Sequence, residues 1–398
     1  MKNKPLTAIF LIVFIDLLGF GLILPLLPFY AEDFGASDTV IGFLVASYAA
    51  AQLVGAPFLG RLSDRFGRKP ILLLSLFGTM VGFLLLGFAE ALWVLFLSRI
   101  LDGFTGGNIS VAQAYIADVT DEKNRAKGMG LIGAAFGLGF IFGPATGGLL
   151  SQYGYAVPAF AAAGMVTLNL LMIIIWLPES LSAEKRIALS QTDKPKINLK
   201  GLISALKRPF SGSLLITRFF FGLAFSIFQT IFSLYALRRF NLDARQTGFI
   251  LTYVGVLSVI VQGGLVGKLN ERFRDDLLIF LSVGIMAFSL LAWGYAPSVV
   301  LLLVIMVPIA FSGGVLNTIL SSALTKAVKP QEIGGILGLA SSIESLTRVI
   351  APSLGGIFLD KLGTWSPGLF SAVMLTGLFF YVWKTIYNHP LAQPSEGT

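Results

Sequence analysis

The chain has 398 residues, of which 55% are apolar and only 13% are charged. Its mean hydropathy of +0.82 is far above that of soluble domains, so the composition excludes an ordinary water-soluble protein. The formal net charge is +8, and the chain contains no cysteine, which excludes disulfides, thiolate metal sites and a cysteine nucleophile.

Apolar segments long enough to cross a membrane recur along the chain. A helix of about 18 residues or more with few charges spans a bilayer core of roughly 30 Å. The strands of an outer-membrane barrel would instead alternate in polarity over about ten residues. The sequence therefore predicts an all-α membrane protein with twelve transmembrane helices. They cover approximately residues 7–30, 40–60, 71–90, 92–117, 127–151, 157–177, 213–237, 246–267, 277–296, 298–324, 333–358 and 366–387.

Lysine and arginine are unevenly distributed over the predicted loops. With the N-terminus in the cytoplasm, the cytoplasmic helix ends and loops hold 22 of them and the opposite side holds four. Cytoplasmic loops of membrane proteins carry such an excess, so we expect a cytoplasmic (inner) membrane protein with both termini in the cytoplasm. The basic excess is thus an orientation signal and does not indicate nucleic-acid binding.

Ionisable residues lie inside several predicted helices. Asp16 is about ten residues into helix one, near mid-depth. Asp102 follows Arg99 by three residues in helix four, and Glu344 precedes Arg348 by four in helix eleven, so each pair shares a helix face. Because unpaired charges in lipid are costly, we expect Asp16, Asp102 and Glu344 to exchange protons. The alternative is a set of permanent ion pairs that only hold helices together.

The loop between helices two and three is rich in charge. It reads Gly60-Arg-Leu-Ser-Asp64-Arg65-Phe-Gly67-Arg68-Lys69. A loop that only orients the chain would not need two glycines at a fixed spacing. Because Asp64 precedes helix three, the partial positive charge of that helix end is expected to stabilise its carboxylate.

The chain also contains an internal repeat. The charged turn recurs in altered form at residues 267–273, and residues 128–150 align without gaps on 336–358. Copies with an even number of helices have the same orientation, which predicts two parallel six-helix repeats. We expect an N-terminal bundle over 1–178, a cytoplasmic linker over 179–208, and a C-terminal bundle with a short tail over 209–398.

Several motifs resemble those of one transporter family. The charged turn resembles the signature of the major facilitator superfamily and fits it at every position: Gly-x-Leu-Ser/Ala-Asp-Arg-x-Gly-Arg-Arg/Lys. The resemblance to this family covers nearly the whole chain. Helix five resembles the antiporter signature of the twelve-helix drug:proton exchangers. Helix one and residues 114–118 resemble the tetracycline efflux proteins of that branch. The matching residues of helix five are Gly139, Gly143, Pro144, Gly147 and Gly148.

The resemblance implies the major facilitator fold and a proton-coupled secondary transporter that exports amphipathic drugs or small organic molecules by alternating access. It also implies a cytoplasmic gate that latches the two halves, in which Arg68 reaches Asp118 at the end of helix four. The expected gate residues are Gly60, Asp64, Arg65, Gly67, Arg68 and Asp118. Close packing of the small residues in helix five would seal the protein against proton leak.

Polar and aromatic residues within the helices are candidates for substrate binding. The expected set is Asp16, Asn108, Phe225, Gln229, Asn317 and Arg348. The alternative for the amides is hydrogen bonding between helices, and for the aromatic ring it is contact with lipid or with neighbouring helices. Tetracycline exporters carry an acid within helix three where this chain has Gly82, so a tetracycline–metal chelate is not the expected substrate. The expected substrates are lipophilic monocations or zwitterions.

Other functions remain as alternatives. An importer or facilitator of sugars or other metabolites would use the same fold, although the helix-five motif disfavours it. A membrane enzyme would need a nucleophile, metal cluster or cofactor motif, and the sequence shows none, so we expect neither enzymatic activity nor a bound cofactor or metal. The expected partners are a small-molecule substrate, protons and the lipid bilayer, with the protein acting as a monomer.

Overall fold

The computed structural model describes residues 4–182, 184, 186, 208, 210–329 and 332–388. These residues form helices and connecting turns without a strand, which confirms the all-α prediction. The helices are α1 (Lys4–Ile23), α2 (Leu27–Asp33), α3 (Asp38–Phe66), α4 (Arg68–Gly87), α5 (Leu92–Thr105), α6 (Asn108–Val119), α7 (Glu122–Leu150), α8 (Ala156–Trp176), α9 (Ser211–Phe240), α10 (Ala244–Ile260), α11 (Val266–Arg272), α12 (Asp275–Gly294), α13 (Val299–Lys326), α14 (Ile333–Leu362) and α15 (Ser366–Val382).

The predicted spans correspond to these helices with two breaks, and π-helical segments at Val261–Leu265 and Trp383–Tyr387 follow α10 and α15. Ten spans within the described residues are long and apolar enough to cross a membrane. An eleventh is the pair α1 and α2, which meet at an angle of 42° in the segment that contains Pro25. The fourth predicted helix is divided into α5 and α6 at Gly106 and Gly107.

The division of the fourth helix is compatible with a membrane because its freed backbone groups find partners within the protein. Gln52 Nε2 donates to the carbonyl oxygen of Gly106 at 2.9 Å. The Ser75 hydroxyl donates to the backbone carbonyl oxygen of Thr105. Backbone groups without partners at membrane depth would cost several kcal/mol each, about the cost of moving a bare amide into hydrocarbon. The break is therefore a supported feature of the fold.

The helices group into two compact units. The first comprises residues 1–194 and 241–255, and the second comprises 195–240 and 256–398. The start of α10 thus belongs with the first unit. Most of the predicted linker, 179–208, lies outside the described residues, so the expected domain limits remain a prediction.

Each unit has its own core. In the first, α1 packs against α7 and α8, while α5 packs against α3 and α4. In the second, α9 packs against α14 and α15, and α12 packs against α13 and α15. The second core includes the fully buried Tyr235 and Trp293, where the Tyr235 hydroxyl donates to the Trp293 carbonyl at 2.6 Å.

Large apolar side chains are exposed on both units. Phe88 and Ile175 are each 71% exposed, and Phe288 and Val300 are each 73% exposed. A soluble monomer rarely exposes so much apolar surface. Ile175, Phe288 and Val300 lie on helices that meet the length and hydropathy of membrane spans, and Phe88 directly follows such a helix, so these side chains are suited to contact lipid.

Candidate functional site

A small polar recess lies in the first unit beside the break in the fourth span. Asn108, the first residue of α6, lines this recess together with Asp16 on α1. The lining residues near Asp102 are Asp16, Phe20, Tyr48, Thr79, Phe83, Asp102, Gly106 and Asn108. The cavity volume is about 10 Å³, roughly the space that one water molecule needs. In this conformation the recess can therefore hold one water molecule, but no drug-sized molecule.

Arg99 and Asp102 form a buried ion pair at this recess. Arg99 Nη1 lies 3.2 Å from Asp102 Oδ2, and each side chain is only 4% exposed. The guanidinium also lies over the Phe83 ring, 5.4 Å from its centroid, where the aromatic face attracts a cation. With Asp16, the described residues here carry two carboxyl groups against one guanidinium. One further positive charge, a proton or a cationic group, balances the recess.

A second charged cluster lies at the start of α4. Arg68 Nη1 lies 2.8 Å from Asp64 Oδ1, and Arg68 Nε lies 3.0 Å from Asp118 Oδ2. The guanidinium also donates to the Ser63 hydroxyl at 2.7 Å. The expected contact between Arg68 and Asp118 is therefore present, and it joins the ends of α3, α4 and α6.

The structure corrects the expected position of Asp64. This residue lies in the last turns of α3 rather than beside the first amides of α4, and its described partner is the Arg68 side chain. Glu179 occupies the expected place instead, because its carboxylate accepts bonds from the backbone amides of Arg68 at 2.9 Å and Lys69 at 3.1 Å. Sequence reasoning missed Glu179, since it follows α8 and is 111 residues away from Arg68.

The remaining gate candidates differ in their surroundings. Gly67 has φ +105°, and a Cβ atom there would collide with the Glu179 carboxylate, so only glycine fits. A Cβ atom at Gly60 would meet no described atom within 4 Å. Arg65 is exposed and lies over the neighbouring Phe66 ring at 5.3 Å. The cluster thus unites Asp64, Gly67, Arg68 and Asp118, while Gly60 and Arg65 lie outside it.

The glycine-rich motif of α7 allows backbone contact on one side with α1. A Cβ atom at Gly143 would lie 2.7 Å from Gly21 Cα, and one at Gly139 would lie 3.0 Å from Leu17 Cβ. A Cβ atom at Gly147 would collide with the Leu22 carbonyl oxygen. These three positions therefore accept no larger side chain without a shift of the helices.

The other side of α7 contacts the start of α10. A Cβ atom at Gly148 would lie 2.9 Å from Arg245 Cα, and one at Gly248 would collide with the Pro144 carbonyl oxygen. The Thr252 hydroxyl donates to the Ile141 carbonyl at 2.9 Å. The antiporter-like motif is therefore packed backbone to backbone on two sides.

The second unit contains a cluster of two bases and one acid. Arg348 Nη2 lies 2.7 Å from Glu344 Oε1, as the spacing of four residues predicts. Arg218, on α9, approaches the same carboxylate, with Nη2 3.1 Å from Glu344 Oε2. Its Nη1 donates to the Ser321 hydroxyl at 2.9 Å. The contribution of Arg218 could not be predicted, because it depends on which helix lies beside α14.

The other substrate-binding candidates of the second unit lie on α9 and α13. Phe225 is half-buried and stacks on Phe221 with the ring centroids 5.7 Å apart. The side chains of Gln229 and Asn317 are exposed. Across the described part of the chain, the structure contains no group of three or more His, Cys, Asp and Glu side chains arranged to hold a metal ion.

Comparison with known proteins identifies a consistent set of relatives. The family model of the Major Facilitator Superfamily matches residues 9–352 and 214–397. The tetracycline resistance protein, class H, of Pasteurella multocida is 32% identical over 98% of this chain and 100% of its own. Multidrug resistance protein 2 of Bacillus subtilis (strain 168) is 34% identical over 96% of this chain and 95% of its own.

A solved structure gives the same fold. The human organic anion transporter MFSD10 (TETRAN) superposes with a TM-score of 0.69 at 22% identity, covering 96% of this chain and 99% of that one. At this level of identity the likeness concerns the arrangement of helices. It agrees with the two-repeat architecture predicted from the sequence.

Proposed function

The chain belongs to the major facilitator superfamily, and we propose on this premise that it is a proton-coupled exporter of amphipathic drugs or small organic molecules. It is a multi-pass membrane transporter and not an enzyme. Relatives named for tetracycline and multidrug resistance support export. Import or facilitated passage of sugars or other metabolites, the alternative on this fold, is not favoured by them.

The polar recess of the first unit carries the proposal. Among the residues described there, the single guanidinium, that of Arg99, pairs with Asp102, while Asp16 also lines the recess. The ion pair holds Asp102, so Asp16 is the carboxyl group available for exchange. A carboxylate in a membrane span needs a neutralising partner, and a proton and a cationic substrate group can each supply it. Competition between the two for Asp16 couples proton entry to substrate release.

The transport cycle follows from this competition. With a proton on Asp16 the recess is balanced, and the transporter can change the side of the membrane to which it opens. Release of the proton on the cytoplasmic side leaves a carboxylate that attracts a lipophilic monocation or zwitterion. Asn108, which lines the recess with Asp16, brings the start of α6 next to this carboxyl group. Asp102 and Glu344 take secondary roles because each has an arginine partner.

The other candidate residues have supporting roles in the proposal. Asn108, Phe225, Gln229, Asn317 and Arg348 contribute to substrate binding. The cluster of Asp64, Gly67, Arg68 and Asp118 acts in the cytoplasmic gate, and the packed glycines of α7 limit proton leak. We propose that the protein works as a monomer in the cytoplasmic membrane. The distribution of Lys and Arg supports an orientation with both termini in the cytoplasm.

Dye transport into inverted membrane vesicles tests the proposal. Respiration-driven acidification of the vesicle interior should drive accumulation of ethidium, a lipophilic cation, and a protonophore should abolish it. Vesicles from cells that carry an empty vector provide the control. Transport of a hexose that is faster than that of any dye and insensitive to the protonophore would contradict export and support the alternative.

A further inference from the structure

The basic cluster of the second unit carries more positive than negative charge. Arg218 and Arg348 lie on either side of Glu344, and each guanidinium contacts one of its two carboxylate oxygens. Two guanidiniums against one carboxylate leave an excess positive charge on helices that meet the criteria for membrane spans. Charged groups within a membrane are costly unless they are neutralised, so the cluster has room for one further negative charge.

The two arginines differ in accessibility. The Arg218 side chain is 13% exposed, and its two terminal nitrogens contact Ser321 and Glu344. Its buried Nε atom has no hydrogen-bond partner among the described residues. The Arg348 side chain is 55% exposed. A ligand can therefore reach Arg348 directly, while Arg218 is largely buried and contacts Glu344.

We propose that this cluster binds one negatively charged group, a carboxylate carried by the transported molecule, with Arg348 as its main contact. The inference rests on the proposed function and specifies its substrate class. The fork of N–H groups on a guanidinium matches the two oxygens of a carboxylate. Glu344 occupies part of this fork in the absence of substrate, and Arg218 keeps Glu344 in place when the substrate carboxylate approaches.

The charge balance of each unit then favours one kind of molecule. The recess with Asp16 has an excess of one carboxyl group, and the cluster with Arg348 has an excess of one guanidinium. A molecule with a free carboxylate supplies the charge that the cluster lacks, whereas a simple monocation does not. The preferred substrates are therefore amphipathic molecules with a free carboxylate.

A matched pair of dyes tests this site. Rhodamine B is a zwitterion with a free carboxylate, and its ethyl ester is a monocation with the same ring system. Fluorescence anisotropy with purified protein at neutral pH should show about tenfold tighter binding of rhodamine B, as a charge-assisted hydrogen bond provides. Arg348→Gln should remove most of this difference and leave the affinity for the ester within about twofold. Lys361→Gln, at the exposed end of α14, should preserve the wild-type ratio.

A second variant tests the same site without changing Arg348. Glu344→Gln removes the internal competitor for the guanidiniums and should increase the preference for rhodamine B. Equal affinity of the wild type for both dyes, an unchanged ratio in monodisperse Arg348→Gln protein, or an unchanged preference in Glu344→Gln would each overturn the carboxylate site and leave the proposed function standing. Failure of both dyes to bind the wild type would overturn both.

A lipid phosphate has similar chemistry and is distinguished by competition. Benzoate should displace rhodamine B from the wild type if the site recognises a substrate carboxylate. Displacement by phosphatidylglycerol but not by benzoate would assign the site to a lipid headgroup and contradict the proposal.

Discussion

Lys326 and Asp275 form an ion pair that repeats, with the charges exchanged, the pair formed by Asp118 and Arg68. Lys326 Nζ lies 2.8 Å from Asp275 Oδ2, at the end of α13 and the start of α12. The two residues follow Asp118 and Arg68 by 208 and 207 positions, the offsets that relate the two copies of the internal repeat. The duplicated chain has therefore kept a contact between helix ends while exchanging which helix carries the base.

We expect that the charges of Lys326 and Asp275 can be exchanged between the two positions. Lys326→Asp should lower the free energy of unfolding by roughly 1 kcal/mol, because it places two carboxyl groups together at a position that is half exposed and partly screened. Addition of Asp275→Lys should restore most of the loss. Thermal unfolding of the purified variants measures both effects. A double variant no more stable than Lys326→Asp would show that the pair does not hold these helix ends together.

The cluster at Arg68 should be far more sensitive than its neighbour Arg61. Arg68→Gln leaves Asp64 and Asp118 without the guanidinium that joins them, which should cost about 3 kcal/mol or more for so buried a pair and should slow dye export. Arg61→Gln alters an exposed residue of the same turn and should change little. Unfolding and export rate are measured together. Lost stability with normal export would make the cluster purely structural and contradict its role in the gate.

Two glycines of α7 provide a test of the packed interface with α1. Gly143→Ala places a Cβ atom 2.7 Å from Gly21 Cα and should destabilise the protein by roughly 1–3 kcal/mol, with increased proton leak. Gly133→Ala, on the same helix, meets no described atom within 4 Å and should be neutral or slightly stabilising because alanine favours the helix. A pH-sensitive dye trapped in vesicles measures the leak. Equal behaviour of the two variants would contradict the tight contact.

Asp16→Asn should abolish proton-driven export while the protein still inserts and folds. The amide keeps the shape of the side chain but neither takes up a proton nor attracts a cation, so export should fall by at least about a hundredfold, the lower end of the effect of an essential proton-transfer group. Asp33→Asn makes the same chemical change at the exposed end of α2 and should export normally. Normal protonophore-sensitive export by correctly inserted Asp16→Asn would exclude this residue from proton coupling.

Residue spacing predicted those ion pairs that lie on one helix. Arg99 with Asp102 and Glu344 with Arg348 are three and four residues apart, and helix geometry alone brings them together. Arg218 with Glu344 could not be predicted this way, because 126 residues separate them and their contact depends on the packing of α9 against α14. Spacing therefore identifies contacts within a helix and leaves contacts between helices to the fold.

The break at Gly106 and Gly107 shows a second limit of the sequence. Glycine is common inside membrane helices, so two adjacent glycines do not by themselves indicate an interruption. The interruption depends on Gln52, which supplies the hydrogen bond that the continuing helix would have made. Asp64 was misplaced for a related reason, because hydropathy locates a span but not the last turn of its helix.

Because α5 ends before Asn108, α6 is a separate short helix with a group of charged residues near each end. Asn108 at its start lines the recess with Asp16, and Asp118 in its last turn is ion-paired with Arg68. The two residues are ten positions apart, about 15 Å along the helix. If a change at Asp16 rotates or tilts α6 as a unit, Asp118 is displaced as well. The fourth span thus links the polar recess mechanically to the charged cluster, over a distance at which direct electrostatic attraction would be weak.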